Sequence, residues 1–325
     1  MFTGKTILIT GGTGSFGQAF VRHALDRLQP RKVIVYSRDE FKQACMAREI
    51  ASDRLRFFIG DVRDIDRLRR ALVGVDYVVH AAALKQVPAA EYNPFEAVQT
   101  NILGAQNVIT AALDCGVRKV VALSTDKACN PINLYGATKL CSDKLFIAAN
   151  AYAGQSPTRF AVVRYGNVLG SRGSVVPLFK EAAARGEIPL TDERMTRFWV
   201  TLPQAVATVV AAFRAMHGGE MFIPKLPSLR IVDLAKALAP QVPIRVIGIR
   251  PGEKLHEVMI SADESRTLFE TPSGFVKMPE FPFWPVKVPR RGRPVPPGFQ
   301  YASDTNSEWL GVAELRALLQ REGWL

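Results

Sequence analysis

Between Ser124 and Lys139 the chain reads STDKACNPINLYGATK, so two hydroxyls, a carboxylate, an amine and a Tyr-x-x-x-Lys motif fall within one short stretch. Tyr135 and Lys139 are four residues apart and share a face if the segment is helical, where an ammonium beside a phenol lowers the phenol's pKa toward that of a usable base. Ser124 and Thr125 follow the apolar run Val120-Val121-Ala122-Leu123, a buried-strand pattern that puts both hydroxyls at the strand's C-terminal end. Open α/β sheets bind their ligands at that end. Asp126 and Lys127 come next and can serve as a second acid/base pair; a local ion pair at the strand end is the plainer alternative.

The elements that must position these groups begin at the N-terminus. KTILITGGTGSFG, residues 5–17, is an apolar strand running into Gly11, Gly14 and Gly17, after which Gln18 to Leu28 has helical character. Glycines so placed let the backbone turn tightly and approach a pyrophosphate resting on the helix N-terminus. A second strand, Lys32 to Tyr36, ends at Ser37-Arg38-Asp39, where Arg38 and Ser37 suit a 2′-phosphate and favour NADP over NAD. Further strands are expected near 55–60, 76–80 and 118–123, then at Phe160–Arg164, with helices between them, including one of about twenty residues from Ile132. This alternation predicts an α/β fold, a Rossmann-like doubly wound parallel sheet over residues 1–170. From 171 to 325 shorter elements and scattered prolines suggest mainly a smaller substrate-binding domain, from which the chain can cross back to the Rossmann domain, with a helix at Pro203–Met216 and an irregular segment or disordered linker at 279–298. Asp61-Val62, after the third strand, is placed to meet an adenine amine, and the small residues after His80 let a cofactor lie close. His80 itself reads as a packed, hydrogen-bonded residue rather than a base.

A chain of 325 residues, 48% of them hydrophobic, can bury a large core. It has no run approaching the roughly eighteen apolar residues of a membrane helix, and its first residues form a strand rather than a signal peptide, so a soluble cytoplasmic protein is expected. Cys45, Cys115, Cys129 and Cys141 lack paired metal-ligand spacing and read as reduced, mostly packed thiols. The net charge of +12 raises nucleic acid as a partner, but the basic residues are interleaved with acids and cluster only at Arg290-Arg291-Gly292-Arg293. Anionic small molecules account for several of these cations, so neither nucleic acid nor membrane is expected as a partner.

The motifs TGGTGSFG, YSRDE, FFIGDVRD, HAAALKQVPAAEYNP, STDKACNPINLYGATKL, VRYGNVLGSRGSVVP, MTRFW and IGIRPGEKLHE resemble the extended short-chain dehydrogenase/reductases. Among these they are similar to the inverting UDP-N-acetylglucosamine 4,6-dehydratases that open pseudaminic acid synthesis. The resemblance spans nearly the whole chain, with residues 275–298 matching least. It implies a homo-oligomer that acts on UDP-N-acetylglucosamine with NADP. It places the cofactor at Gly11, Thr13, Gly14, Ser15, Phe16, Gly17, Ser37, Arg38, Asp39, Glu40, Lys42, Asp61, Val62, Ala81, Tyr135, Lys139 and Val168, and the substrate at Lys85, Asn167, Thr191, Arg250 and Glu253. Arg194, Thr196 and Arg197 would support the same pocket.

The implied cycle oxidises C4 of the sugar, with Tyr135 taking the hydroxyl proton and Thr125 or Ser124 orienting the oxygen. The C5 hydrogen, now alpha to a ketone, can be removed while the C6 hydroxyl leaves as water. Lys127 is assigned to C5 and Asp126 to the departing hydroxyl, although these two roles can be exchanged. Related retaining dehydratases carry an Asp-Glu pair here, so the lysine is a departure that supports inversion. A 4-epimerase or a retaining dehydratase would be the nearest alternatives, and an NADP-sensing regulator a non-enzymatic one.

Overall fold

Strands that are apolar on both faces need cover on both, which a parallel sheet flanked by helices supplies. The computed structural model describes residues 1–171, 173–284 and 292–325. Its strands β1 (Thr6–Thr10), β2 (Lys32–Ser37), β3 (Leu55–Ile59), β4 (Tyr77–His80), β5 (Lys119–Leu123) and β6 (Arg159–Val163) lie in the order β3-β2-β1-β4-β5-β6. Every neighbouring pair in this set is parallel, with Leu8 opposite Ile34 on one side and Val78 on the other. The strand order reverses between β1 and β4, so their carboxyl ends diverge and open a crevice.

The second half of the chain contributes to the same sheet. After β7 (Asn167–Val168), β8 (Ile188–Leu190) and β9 (Thr196–Val200), β10 (Met221–Pro224) runs parallel beside β6. Then follow β11 (Ser228–Arg230), β12 (Ile244–Val246) and β13 (Val258–Ile260), and the antiparallel strands β14 (Leu268–Thr271), β15 (Gly274–Lys277) and β16 (Arg293–Pro294) complete the edge as β10-β15-β14-β16. A last short strand, β17 (Tyr301–Ala302), pairs with β13. A second apolar cluster, which includes Phe179, Leu190, Trp199, Leu234 and Leu315, joins the helices Val175–Ala184, Ile231–Leu238 and Val312–Arg321 to β8, β9 and β11.

Local chemistry sets the helix boundaries. The helix expected from Ile132 begins at Leu134 and runs to Tyr152, because the Asn133 side chain accepts the Gly136 N–H at 2.8 Å and acts as its N-cap. The helix expected at 203–216 is Leu202–Ala215, opened by a reciprocal capping box between Thr201 and Gln204. In the proline-rich stretch, residues 285–291 lie outside the described residues, and with them Arg290 and Arg291 of the basic cluster. Arg293 and Pro294 are exposed on the edge strand β16. Among the described residues no helix is long and apolar enough to cross a membrane.

Candidate active site

The turn after β1 is built for close approach. Gly11 has φ +65°, in the left-handed region that favours glycine, and a Cβ there would stand 2.9 Å from the Ala82 backbone beyond β4. A Cβ at Gly17 would come within 2.5 Å of Gly12, so the helix Ser15–His23 packs directly on the turn. This glycine cradle at a helix N-terminus fits a dinucleotide pyrophosphate. At the end of β2, Asp39 caps the helix Glu40–Glu49 by accepting the Lys42 N–H at 2.9 Å and also pairs with the Lys42 amine. Arg38 stands 3.6 Å from Asp61 with 54% of its side chain exposed. Burial pushes the Asp61 carboxyl up, but its hydrogen bonds from Arg63 outweigh that and hold it below the usual range.

Beyond β5 the chain makes a single turn, Asp126–Ala128, against the start of the helix Leu134–Tyr152. The two fit because residue 136 is glycine: a Cβ there would lie 2.2 Å from the Lys127 carbonyl oxygen. Lys127, 25% exposed, places its Nζ 3.0 Å from Asp126 Oδ1 and 3.0 Å from Glu257 Oε1, both carboxylates being buried. Arg197 Nε approaches the same Glu257 oxygen at 3.7 Å. Burial pulls the Lys127 amine down, but the two carboxylates outweigh it and hold the amine above its ordinary range. Asp126 is pushed up by burial, against the pull of Lys127. Glu257 feels the same burial, yet Lys127 and Arg197 together hold it low. The second cation explains why the two carboxyls diverge, and Asp126 is the one inclined to carry a proton.

Tyr135 corrects an expectation. Burial pushes its phenol up to about 12, and the largest opposing cation is Lys127, aided by a hydrogen bond with Thr125. Lys139 is buried, its amine drawn down by burial against the pull of Asp143. The two hydroxyls have different partners: Ser124 Oγ donates to Asp143 at 2.6 Å, and Thr125 Oγ1 donates to Asp126 at 3.0 Å. Asp143 lies 3.6 Å from the buried Arg164, which also holds Glu264 at 3.0 Å, so a buried ionic chain backs the site. Cys129 lies against Glu264 at 3.5 Å, and burial raises its thiol to about 12, which makes it a packed group rather than a nucleophile. His80 is packed, as expected: it is 1% exposed, bonded to Thr10 at 2.8 Å and lowered by burial to about 3.

A cavity of about 1160 Å³ lies at the carboxyl ends of the strands. Its lining includes each residue expected to hold the cofactor except Glu40, together with Thr125, Asp126, Lys127, Lys85 and Asn167. Asn167 Oδ1 is buried with no partner among the described residues. Thr191, Arg250 and Glu253 do not line the cavity. Thr191 bonds to Met195, Arg250 is 54% exposed at 3.9 Å from Glu253, and Arg194 is 72% exposed, paired with Asp192. Thr196 and Arg197 are buried. Sequence reasoning assigned no role to Glu257, Asp143 or Arg164. Glu257 closes the RPGEKLHE motif, so its signal was present without a position to attach it to.

A family model for polysaccharide biosynthesis proteins matches residues 7–279. The chain is 55% identical over 324 residues to a Campylobacter jejuni protein named UDP-N-acetylglucosamine 4,6-dehydratase (inverting), covering 97% of each. Its fold is similar to Pen from Bacillus thuringiensis, with a TM-score of 0.92 and 39% identity over 100% of this chain and 99% of that one. It is also similar to DesIV, a dTDP-glucose 4,6-dehydratase from Streptomyces venezuelae solved with NAD bound, at a TM-score of 0.69 and 27% identity over 77% of this chain and 86% of that one.

Proposed function

The chain belongs to the polysaccharide biosynthesis protein family, and from that premise we propose that it is an inverting UDP-N-acetylglucosamine 4,6-dehydratase that uses NADP. The observation that carries the reading is the Asp126–Lys127 pair, 3.0 Å apart, in the same cavity as Tyr135. A 4-epimerase needs the tyrosine alone. Elimination of water needs a base and an acid together, and one proton shift across that 3.0 Å contact turns the ion pair into a neutral amine and a carboxylic acid.

The bound nicotinamide supplies a hydride acceptor for C4 and later a hydride donor for C6. The rest falls to the protein. Tyr135 accepts the C4 hydroxyl proton as its phenolate while hydride leaves C4, and Lys127 and the hydrogen bond with Thr125 favour that phenolate against burial. The neutral Lys127 amine then takes the C5 proton, electrons of that C–H bond form the C5=C6 double bond, and the C6–O bond breaks. The leaving hydroxyl takes the Asp126 proton and departs as water, which returns the pair to ammonium and carboxylate. Tyr135, now a phenol, is the proton donor for C5 from the opposite face, which gives inversion.

Mass spectrometry of the product after incubation with UDP-N-acetylglucosamine tests this reading. A species lighter by one water supports it, and a product of unchanged mass would point to epimerisation instead. For the cofactor, the half-exposed side chain of Arg38 on the cavity supports NADP. Arg38→Ala is expected to weaken NADP binding by about 10- to 100-fold more than NAD binding, the worth of a charge-assisted contact. Equal losses for both, measured by titration calorimetry, would remove the 2′-phosphate from its role.

A further inference from the structure

Glu257 comes to the site from far along the chain, and nearly every contact it makes holds it still. Its side chain is 2% exposed, its backbone N–H donates to Ser303 Oγ at 2.9 Å, and its carbonyl accepts the Ser303 N–H at 2.8 Å. Arg197, beside it, is fixed in turn, because its guanidinium donates to the carbonyls of Thr196 at 2.7 Å and Leu255 at 3.1 Å. The backbone held in this way carries the buried carboxylate to a set place, with Arg197 Nε 3.7 Å from Oε1. The long, flexible Lys127 side chain, whose amine would otherwise sample many rotamers, meets it at 3.0 Å.

We propose that Glu257 is a positioning residue for the elimination: anchored beside Arg197, its carboxylate aims the Lys127 amine into the cavity next to Asp126 and stabilises the charge that the amine acquires on taking the C5 proton. The inference deepens the dehydratase reading and rests on it for the identity of that proton. In the step concerned the C5–H bond breaks and an N–H bond forms on Lys127, so positive charge grows 3.0 Å from a fixed negative one. Such preorganised charge lowers the barrier without any rearrangement at the moment of reaction. The charged and titratable groups around the amine are Asp126, Glu257, Arg197 and Tyr135, with Lys254 acting on Glu257 from the same loop.

Glu257→Gln keeps the shape and one acceptor oxygen while removing the charge. On the full-length resting enzyme, the Lys127 amine, followed by nitrogen NMR across a pH titration, is expected to lose its proton about one pH unit or more lower than in the unaltered protein. An unmoved titration would overturn the proposal, whatever the enzyme turns over. With UDP-N-acetylglucosamine in deuterated water, the variant is expected to lose water about 10- to 100-fold more slowly, with KM little changed and oxidation at C4 intact. The alkaline limb of its pH profile should move to lower pH. Glu257→Asp, which keeps the charge, should leave that limb in place. A uniform loss in every step together with a lowered Tm, and no change in the pH profile, would mean a structural role only. If the unaltered protein eliminates no water while the titration moves as expected, the dehydratase reading falls and the control of Lys127 by Glu257 stands.

Discussion

Lys127→Ala is expected to suppress water elimination by about 10²- to 10⁴-fold, the usual contribution of a positioned acid or base, while NADP binding is retained. The residue follows β5, whereas the glycine cradle of Gly11, Gly14 and Gly17 follows β1. Oxidation at C4 relies on Tyr135, which loses a stabilising cation, so the variant should exchange hydride with the sugar more slowly and stall before the C6–O bond breaks. The substitution has a structural cost, because Asp126 and Glu257 lose the ammonium between them, and stripping one partner from a buried pair typically costs about 3–5 kcal/mol. Lys127→Gln keeps hydrogen-bond donors for both carboxylates and is the companion to measure if the alanine variant does not fold. An unchanged turnover number in either folded variant would take Lys127 out of the mechanism.

Gly136→Ala should have an effect of similar size for a different reason. The added methyl would stand 2.2 Å from the Lys127 carbonyl oxygen and 3.1 Å from Pro131. The first neighbour is backbone, so relief requires moving the Asp126–Ala128 turn away from the helix that carries Tyr135. Overpacking of this kind costs about 1–3 kcal/mol, and a displacement of the acid/base pair by about 1 Å is enough to lose about 10²-fold in rate. The expected result is therefore a lowered Tm together with a fall in kcat for elimination that exceeds the fall in C4 oxidation. Normal turnover would mean that the turn and the helix need not touch. Ser142→Ala, on the same helix but fully buried away from the cavity, should show neither effect and serves as the control.

Much of this site was legible because its chemistry is local. Thr125, Asp126, Lys127, Tyr135 and Lys139 are close in sequence, and a strand end followed by a helix start brings them together with no long-range information. The glycine turn was legible for the same reason. What escaped depends on distant pairing. Ser124 and Thr125 are indistinguishable as hydroxyls after a strand, and only Asp143, two turns beyond Tyr135 on the helix, assigns Ser124 to the buried ionic chain. Glu257 and Arg197 reach Lys127 through β13 and β9, whose pairings with β17 and β11 carry no period that a sequence window detects. The expected effect of Lys139 on Tyr135 followed from helix spacing alone, whereas burial raises the phenol and the main opposing cation is Lys127. In the RPGEKLHE segment the residues singled out, Arg250 and Glu253, do not line the cavity, and the one that meets the acid/base pair is the last glutamate.

The central claim is that one proton leaves C5 and another returns to its opposite face while water is lost from C6. Proton NMR of the purified protein with UDP-N-acetylglucosamine in deuterated water reads all of this in one sample. The account predicts a new methyl signal at C6, a ketone at C4 and deuterium at an inverted C5. A product that keeps its C6 hydroxyl, or a 6-deoxy product with the original C5 configuration, would contradict it.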